Sequence, residues 1–298
     1  MSKQIQNVIV TGSSNGFGYL TVLTLARKGH HVFATMRNVN GGNATKRDEL
    51  LKIADREGLN IKVVELDVKD QNSIDRAAIE IQKEAAHIDV LINNAGTMFV
   101  GISEAYSIEQ IEDQMSVNFY GPIRVAKAFL PLLRKNGGLI TNVSSVAGRL
   151  AFPYFGVYCA SKWAMEAYFE SLGYELAPYG VDVSIVEPGP FATNLLHSGP
   201  KEADSEVLKT YGEDANVPGT TLEGFDAMFK SGSPDVDPQH VADAISQLVH
   251  SEQGQRPVRT VVGQDFGTVE LNDAVAPIQR RLITDVLQMN HLLGANHN

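Results

Sequence analysis

The sequence is short of cysteine and of positive charge, and both shortages limit what the protein can be. Cys159 is the only cysteine among 298 residues, so an intramolecular disulfide is impossible and we expect a reducing, cytoplasmic environment. The formal net charge is -10, which argues against a nucleic-acid backbone or an anionic membrane surface as a bulk partner. One local basic pocket for a single phosphate remains compatible with this balance.

Long apolar segments and metal-ligand patterns are also missing. No apolar run is long enough for a transmembrane helix, and the opening MSKQIQNVIVTG lacks the charged and apolar regions of a signal peptide. The eight histidines show no metal-ligand spacing, and we expect His30 and His31 to occupy solvent-facing turn positions. The sequence therefore predicts neither a membrane span nor a metal site.

What the sequence does contain is a regular alternation of short β-branched runs and longer helical patterns. This alternation, with strands that are almost continuously apolar, predicts a single α/β domain over 1–298 with a Rossmann-type, doubly wound parallel sheet. The predicted strands are NVIVTG, HVFAT, KVVELDV, DVLINNAG, GLITNVSS, VDVSIVEPG and Pro257–Val262. The predicted helices are Phe17–Lys28, Ala44–Glu57, Asn72–Ala85, Ile108–Leu133 (with a kink or break at Pro122 and Pro131), Tyr158–Ala177, Pro238–Ser251 and Asn272–Leu292.

The alternation loosens after Pro190. Residues 5–195 form the predicted cofactor-binding and catalytic core. Residues 196–238 are polar, acidic and interrupted by glycine and proline, so we predict a substrate lid there, with a short helix at Glu202–Thr210. Residues 239–298 then close the domain with a helix, a strand and a C-terminal helix.

TGSSNGFG lies between the first strand and the first helix. Three glycines there, Gly12, Gly16 and Gly18, let the backbone turn tightly and approach a pyrophosphate, which the helix N-terminus attracts. The spacing G-x-x-x-G-x-G differs from the more familiar dinucleotide pattern, and an ordinary glycine turn is the alternative. The loop residues Ser13, Ser14 and Phe17 are part of the predicted cofactor site.

The second strand ends in Met36 and Arg37. An acidic residue here would bind an adenosine ribose and select NAD, whereas a guanidinium suits a 2′-phosphate. This favours NADP(H) over NAD(H), with the Ser13 hydroxyl as an additional ligand. The alternative is that Arg37 simply faces water.

Other candidate ligands follow the third and fourth strands, where open α/β sheets bind their ligands. Asp67 either binds an adenine amino group or caps a turn, and Val68 follows it. Small residues after the fourth strand suit a backbone pressed against the cofactor. These are Asn94, Ala95 and Gly96.

A further set surrounds Tyr158 and Lys162, which are four residues apart on a predicted helix and therefore share a face. Ser144 and Ser145 end the fifth strand, and Asn118 is an amide among apolar neighbours. TGSSNGFG, NNAG, NVSS, YCASK and PGPFAT occur in the order and at spacings that make the chain resemble the short-chain dehydrogenase/reductase family. The ATMR stretch resembles the hydroxysteroid and retinol dehydrogenase-like branch.

The resemblance implies an oxidoreductase that moves hydride between nicotinamide and a carbonyl or secondary alcohol, with ketone or aldehyde reduction favoured. Tyr158 would be the general acid or base, and the Lys162 ammonium would lower its pKa and hold the nicotinamide ribose. Ser145 would bind the substrate oxygen and Asn118 a proton-relaying water. The nicotinamide amide would meet Pro188, Gly189 and Thr193.

The resemblance leaves several alternatives open. Phe152, Phe155, Phe191, Met98 and Leu195 either line an apolar substrate pocket or pack in the core. The family suggests a homodimer or homotetramer. A non-catalytic NADP(H)-binding redox sensor is the alternative function.

Overall fold

A computed structural model describes residues 5–230 and 236–294. Within that part of the chain, seven parallel strands form one sheet in the order β3-β2-β1-β4-β5-β6-β7. This confirms the predicted doubly wound fold. The strands are β1 (Asn7–Thr11), β2 (His31–Met36), β3 (Ile61–Glu65), β4 (Val90–Asn93), β5 (Gly138–Val143), β6 (Val181–Pro188) and β7 (Arg259–Val262).

The strand order reverses at β1, which pairs with β2 on one side and with β4 on the other. Ligands of open α/β sheets bind at the carboxyl ends of the strands beside such a reversal. The fold therefore places the cofactor crevice over the ends of β1 and β4.

Helices cover both faces of the sheet. They are α1 (Gly16–Arg27), α2 (Ala44–Glu57), α3 (Gln71–Gln82), α4 (Ile108–Met115), α5 (Gly121–Leu133), α6 (Gly156–Leu176), α7 (Ser205–Thr210), α8 (Val217–Lys230), α9 (Gln239–His250) and α10 (Thr268–Arg281). None of those in the described ranges is long and apolar enough to cross a bilayer.

Two hydrophobic clusters, one on each side of the sheet, form the core. Alternate residues of β1 enter different clusters, with Ile9 in one and Val8 and Val10 in the other, because successive strand side chains point to opposite faces. The first cluster includes Phe129 of α5, and the second includes Leu25 of α1. Burial on both faces accounts for the almost continuously apolar strands.

The break expected in the long helix lies before the prolines. A π-helical turn, Ser116–Tyr120, separates α4 from α5. Pro122 follows this turn as the second residue of α5, where the regular i→i−4 bonding is already interrupted, and α5 runs through Pro131 to Leu133.

The predicted lid is more helical than its composition suggested, since it contains the whole of α7 and of α8. α7 begins at Ser205, three residues later than predicted, because Asp204 caps it by accepting hydrogen bonds from the N–H groups of Glu206 and Val207 at 3.0 and 2.9 Å. Residues 231–235 of the predicted lid lie outside the described residues.

Two further expectations are wrong. The C-terminal helix begins at Thr268, and after Arg281 it continues only as a π-helical turn to Val286. His30 is buried, not solvent-facing. Its Nε2 lies 3.1 Å from His250 Nε2 of α9.

Candidate active site

The loop between β1 and α1 has the backbone that its glycines predicted. Gly12 and Gly16 adopt φ values of +67° and +54°, which favour glycine. A Cβ on Gly12 would lie 2.7 Å from the Ala95 Cα, so the two loops approach closely. Asn15, the N-cap of α1, makes no side-chain capping bond, and the first turn of α1 has no acidic residue. The free N–H groups at this helix end fit a pyrophosphate.

Gly18 and Asn94 hold this loop in place. A Cβ on Gly18 would overlap Asn94 Nδ2 and lie 2.5 Å from the Gly12 carbonyl oxygen. Asn94 Nδ2 donates to the carbonyl oxygens of Thr11 and Gly12 at 2.9 and 3.1 Å. Gly18 is buried and does not line the cavity, so its role is to let α1 pack closely against Gly12 and Asn94.

Arg37 lies exposed on the cavity rim after β2, beside the buried Met36. Its backbone oxygen accepts a hydrogen bond from Asn43 Nδ2 at 2.6 Å. None of the ion pairs within the described ranges involves the Arg37 guanidinium. The rim therefore offers a free cation to a ligand.

Ser13 differs from the expectation. It is buried, and its Oγ donates to the Thr35 carbonyl oxygen at 2.9 Å. The structure thus turns the hydroxyl into the sheet and away from the cavity, so a phosphate contact by this hydroxyl is not supported. Ser14 and Phe17, by contrast, line the cavity.

The residues after β3 and β4 also line the cavity. Asp67 Oδ1 accepts a hydrogen bond from the Lys69 N–H at 2.9 Å, so this carboxylate caps a turn while it lies on the cavity wall. Val68, Asn94, Ala95 and Gly96 complete this wall.

Tyr158 and Lys162 lie one turn apart on α6, and both are almost fully buried (2% and 4% exposed). Lys162 Nζ donates to the Val143 carbonyl oxygen at 2.8 Å and lies 5.8 Å from the centre of the Tyr158 ring. Both residues line the cavity.

Burial dominates the electrostatics of this pair. It lowers the pKa of Lys162 to about 8, against the charge of Glu166, and it raises the pKa of Tyr158 above its ordinary value, against a hydrogen bond with Ser145. The expected lowering of the tyrosine pKa by lysine is therefore absent in the protein alone. The reason is that burial of the phenol itself is the largest contribution to its pKa.

Ser145 caps a short 3₁₀ turn, Val146–Gly148, that follows β5. Its Oγ accepts from the Ala147 N–H at 3.1 Å and lies 3.4 Å from the Pro188 carbonyl oxygen. This hydroxyl therefore bridges the ends of β5 and β6, next to Tyr158. Pro188, Gly189 and Thr193 line the same cavity from the β6 side.

Asn118 lies in the π-helical turn and is fully buried. Its Oδ1 accepts from the Thr97 N–H, and its Nδ2 donates to the Thr97 carbonyl oxygen, both at 2.9 Å, and to Ser161 Oγ at 3.0 Å. The amide thus ties the segment after β4 to α6, beneath Lys162. Both of its N–H groups are engaged, so the water-holding role stays a prediction that would depend on its acceptor atoms.

A family model described as short chain dehydrogenase matches residues 6–204. The chain belongs to the short-chain dehydrogenase family. It is therefore an oxidoreductase that uses a nicotinamide dinucleotide.

Its curated relatives include an uncharacterized oxidoreductase of Bacillus subtilis, 35% identical over 89% of this chain and 90% of the relative. A 3-ketodihydrosphingosine reductase of Bacteroides thetaiotaomicron is 32% identical over 87% and 88% of the two chains. Retinol dehydrogenase 8 of Bos taurus is 34% identical over 84% and 80%. These names confirm the predicted resemblance to the retinol dehydrogenase-like branch.

Solved structures agree with the fold. A short-chain dehydrogenase from Streptomyces avermitilis is 29% identical, with a TM-score of 0.73 over 98% of this chain and 99% of the other. A short chain dehydrogenase from Burkholderia cenocepacia in complex with NADP is 25% identical, with a TM-score of 0.66 over 96% and 99%.

Part of the cavity wall in this short-chain dehydrogenase is aromatic. The cavity encloses about 650 Å³, and its apolar wall includes all five of the residues singled out for a pocket or the core, together with four phenylalanines that were missed. The missed residues are Phe99, Phe225, Phe229 and Phe266. Phe155 and Phe191 also belong to buried clusters, so for them pocket and core are not exclusive alternatives.

Cys159 lies next to Tyr158 on α6. Burial raises the pKa of the Cys159 thiol, so this residue packs beside Tyr158 as a protonated thiol. Residues 5–230 and 236–294 contain no cluster of three or more metal-ligating side chains.

Proposed function

We propose that this short-chain dehydrogenase is a cytoplasmic NADP(H)-dependent reductase of apolar ketones or aldehydes, with Tyr158 as its general acid. The observation that carries the proposal is one cavity that joins an unpaired guanidinium, a glycine loop, the Ser145–Tyr158–Lys162 group and an aromatic wall. Reduction is the favoured direction because the cytoplasmic NADP pool is usually reduced. A homodimer or homotetramer belongs to the same proposal.

The residues present fit the nicotinamide cofactor. Gly12 and Gly16 leave room for a pyrophosphate at the N-terminus of α1, where a side chain would collide with Ala95 or strain the turn. Arg37 would bind the 2′-phosphate, and Asp67 and Val68 would border the adenine. Ala95 and Gly96 would contact the ribose, and Pro188, Gly189 and Thr193 the nicotinamide amide. When bound, the cofactor supplies hydride.

The protein's own task is to orient the carbonyl and to supply a proton. Ser145 would donate a hydrogen bond to the substrate oxygen and so stabilise the developing charge. The Tyr158 hydroxyl would donate its proton to the same oxygen, and the Lys162 ammonium would stabilise the remaining phenolate. Because burial raises the pKa of Tyr158 in the protein alone, the hydroxyl holds its proton before substrate binds.

The aromatic wall supports an apolar substrate. Phe152, Phe225 and Phe266 come from three separate segments, and the rings of Phe152 and Phe266 lie 5.6 Å apart, edge to face. Such a wall stabilises a ligand mainly by removing apolar surface from water. The relatives named for 3-ketodihydrosphingosine and for retinol suggest which compounds to try first.

The cofactor proposal is tested by fluorescence titration with NADPH and NADH. Arg37→Ala should weaken NADPH binding about 10- to 100-fold, the range expected for a charge-assisted contact, and should leave NADH binding almost unchanged. Arg76→Ala, which removes an exposed arginine of α3, is the matched control. Equal NADPH and NADH affinities in the wild type would overturn the preference.

The reductase proposal is tested with a panel of apolar carbonyl compounds that includes 3-ketodihydrosphingosine and retinal. Tyr158→Phe should abolish NADPH oxidation on every active compound while NADPH still binds. Full turnover in this variant would refute the role of Tyr158. Tight NADPH binding without turnover of any compound by the wild type would favour the non-catalytic redox sensor.

A further inference from the structure

Behind the cavity lies a buried charge cluster to which the reaction above assigns no task. Glu166 of α6 and Glu187 of β6 are 2% and 0% exposed. Arg259 of β7 meets both carboxylates, at 3.3 Å from Glu166 and 3.1 Å from Glu187, and also meets Glu170 at 2.8 Å. One guanidinium therefore faces three carboxyl groups, two of them out of contact with water.

The cluster adjoins the Ser145–Tyr158–Lys162 group on two sides. Glu166 is one helical turn beyond Lys162, so the two side chains share a face of α6. Glu166 Oε1 also accepts a 2.5 Å hydrogen bond from Ser144 Oγ, and Ser144 precedes Ser145. A Cβ on Gly148 would overlap the Glu166 carboxylate, so the 3₁₀ turn that carries Ser145 closes directly over this group.

Glu187 holds the opposite side of the cluster. Its Oε2 accepts a 2.6 Å hydrogen bond from Asn272 Nδ2, and Asn272 Oδ1 accepts one from Arg149 Nε at 2.8 Å. Glu187 Oε1 is buried and lies 3.1 Å from Arg259 Nε, an ion-pair contact without the geometry of a hydrogen bond. Glu187 directly precedes Pro188, the residue whose carbonyl oxygen Ser145 approaches.

Two negative charges do not fit here together. Burial raises the pKa of both carboxyls; burial and the neighbouring Glu166 carboxylate bring that of Glu187 to about 8. The contacts distinguish the two groups. Glu166 accepts the short Ser144 bond typical of an ionised acceptor. Glu187 is in hydrogen-bond contact with Glu166, and two carboxyl groups make such a contact only when one of them carries a proton.

We propose that Glu166 is a negatively charged positioning residue, which keeps Lys162 charged and fixes the Ser144–Ser145 turn. Glu187 beside it is protonated and neutral, so the two carboxyl groups together hold one negative charge. The inference rests on the proposed role of Lys162. The charged or titratable groups facing Glu166 are Lys162 on its own helix, Glu187 on β6, Arg259 on β7 and Arg149 after β5.

Electrostatics gives the direction in which each variant should move the pKa of Lys162. Glu166→Gln removes an anion beside Lys162, which destabilises the ammonium, so the lysine should lose its proton at a pH lower by about one unit. Glu187→Gln replaces one neutral group with another of the same shape, so the same titration should stay in place. Two isosteric changes that face the same Arg259 thus have different predicted effects.

The experiment is an NADPH fluorescence titration of the full chain at a series of pH values between about 6 and 10, the range that brackets the Lys162 titration. The wild type should lose affinity as Lys162 loses its charge, and Lys162→Met should remove that step. Glu166→Gln should move the step down, Glu187→Gln should not, and Glu166→Asp, which keeps the charge, should restore it. Equal shifts in both glutamine variants, or none in either, would overturn the proposal.

Infrared spectra keep the inference testable if Glu166→Gln does not fold. The wild type near neutral pH should show the carbonyl stretch of a protonated carboxyl, and Glu187→Gln should lack that band. Persistence of the band in Glu187→Gln would refute the assignment of the proton. Neither measurement requires turnover, so a failure of Tyr158 as the acid and a failure of this inference are distinguishable.

Discussion

Replacing the active-site lysine should make the protein more stable. Lys162 is almost fully buried, and burial lowers its pKa from the ordinary 10.5 to about 8. Each pKa unit corresponds to ~1.4 kcal/mol, so keeping this side chain charged costs the folded state roughly 3 kcal/mol. Lys162→Met keeps most of the apolar stem and removes the charge.

The net gain is smaller than this cost. Lys162 Nζ donates a 2.8 Å hydrogen bond to the Val143 carbonyl oxygen, and a hydrogen bond of this kind contributes about 1 kcal/mol. We therefore expect Lys162→Met to raise the free energy of unfolding of the cofactor-free protein by about 2 kcal/mol at neutral pH.

The gain should depend on pH in a definite direction. Below pH 8 the lysine is charged in both the folded and the unfolded state, so the whole cost is present. Between about 8 and 10.5 the folded state releases its proton while the unfolded state keeps it, and stability rises with pH. The advantage of Lys162→Met should therefore shrink across this range.

Urea unfolding of both proteins near pH 7 and near pH 9.5 measures the effect. Lys127→Met, at an exposed position of α5, is the control and should change stability by less than about 0.5 kcal/mol at either pH. A Lys162→Met protein that is less stable than the wild type near pH 7, or whose advantage does not depend on pH, would refute the reasoning.

Three further outcomes follow from contacts described by the structure. Gly18→Ala should lower the free energy of unfolding by about 1–3 kcal/mol, measured by calorimetry, and should weaken NADPH binding, because the added Cβ would meet Asn94 and Gly12. Gly219→Ala is the control and should not lower stability, because the added Cβ would have no neighbouring atom within 4 Å. Asp182→Ala should lower the free energy of unfolding by about 3–5 kcal/mol, because the buried Arg256, whose Nη1 lies 2.7 Å from Asp182 Oδ2, would lose its partner. An equal effect of Asp243→Ala, on the exposed side of α9, would contradict this prediction. Cys159 should react with a thiol reagent only as the protein opens, because burial raises the pKa of the thiol; rapid reaction of the native protein would be inconsistent with it.

The sheet could be predicted because each strand is identified by local sequence. Parallel strands buried on both faces are continuously apolar, and right-handed crossovers then fix the order of elements. The positions of Tyr158 and Lys162 were equally local, since four residues in a helix set one face. The bounds of α2 were predicted correctly for the same reason.

The rest of the site depends on contacts between distant residues. Phe225 and Phe266 reach the cavity from segments whose sequence shows only a helix and a turn. Ser13 was assigned to the phosphate because of its position, but the register of β1 and β2 places its hydroxyl 2.9 Å from the Thr35 carbonyl oxygen. The meeting of Glu166 and Glu187 likewise requires α6 to pack on β6 and is invisible in either segment alone.

The π-helical turn between α4 and α5 makes this stretch sensitive to its length rather than to its composition. A π turn holds about one residue more than an α turn, so removing one residue from Ser116–Tyr120 would restore a regular helix and leave α5 in nearly its present rotation relative to α4. The change would fall on the turn itself, where Asn118 bonds to Thr97 and to Ser161. A single-residue deletion here should therefore leave Phe129 in the core and remove the tie between the segment after β4 and α6.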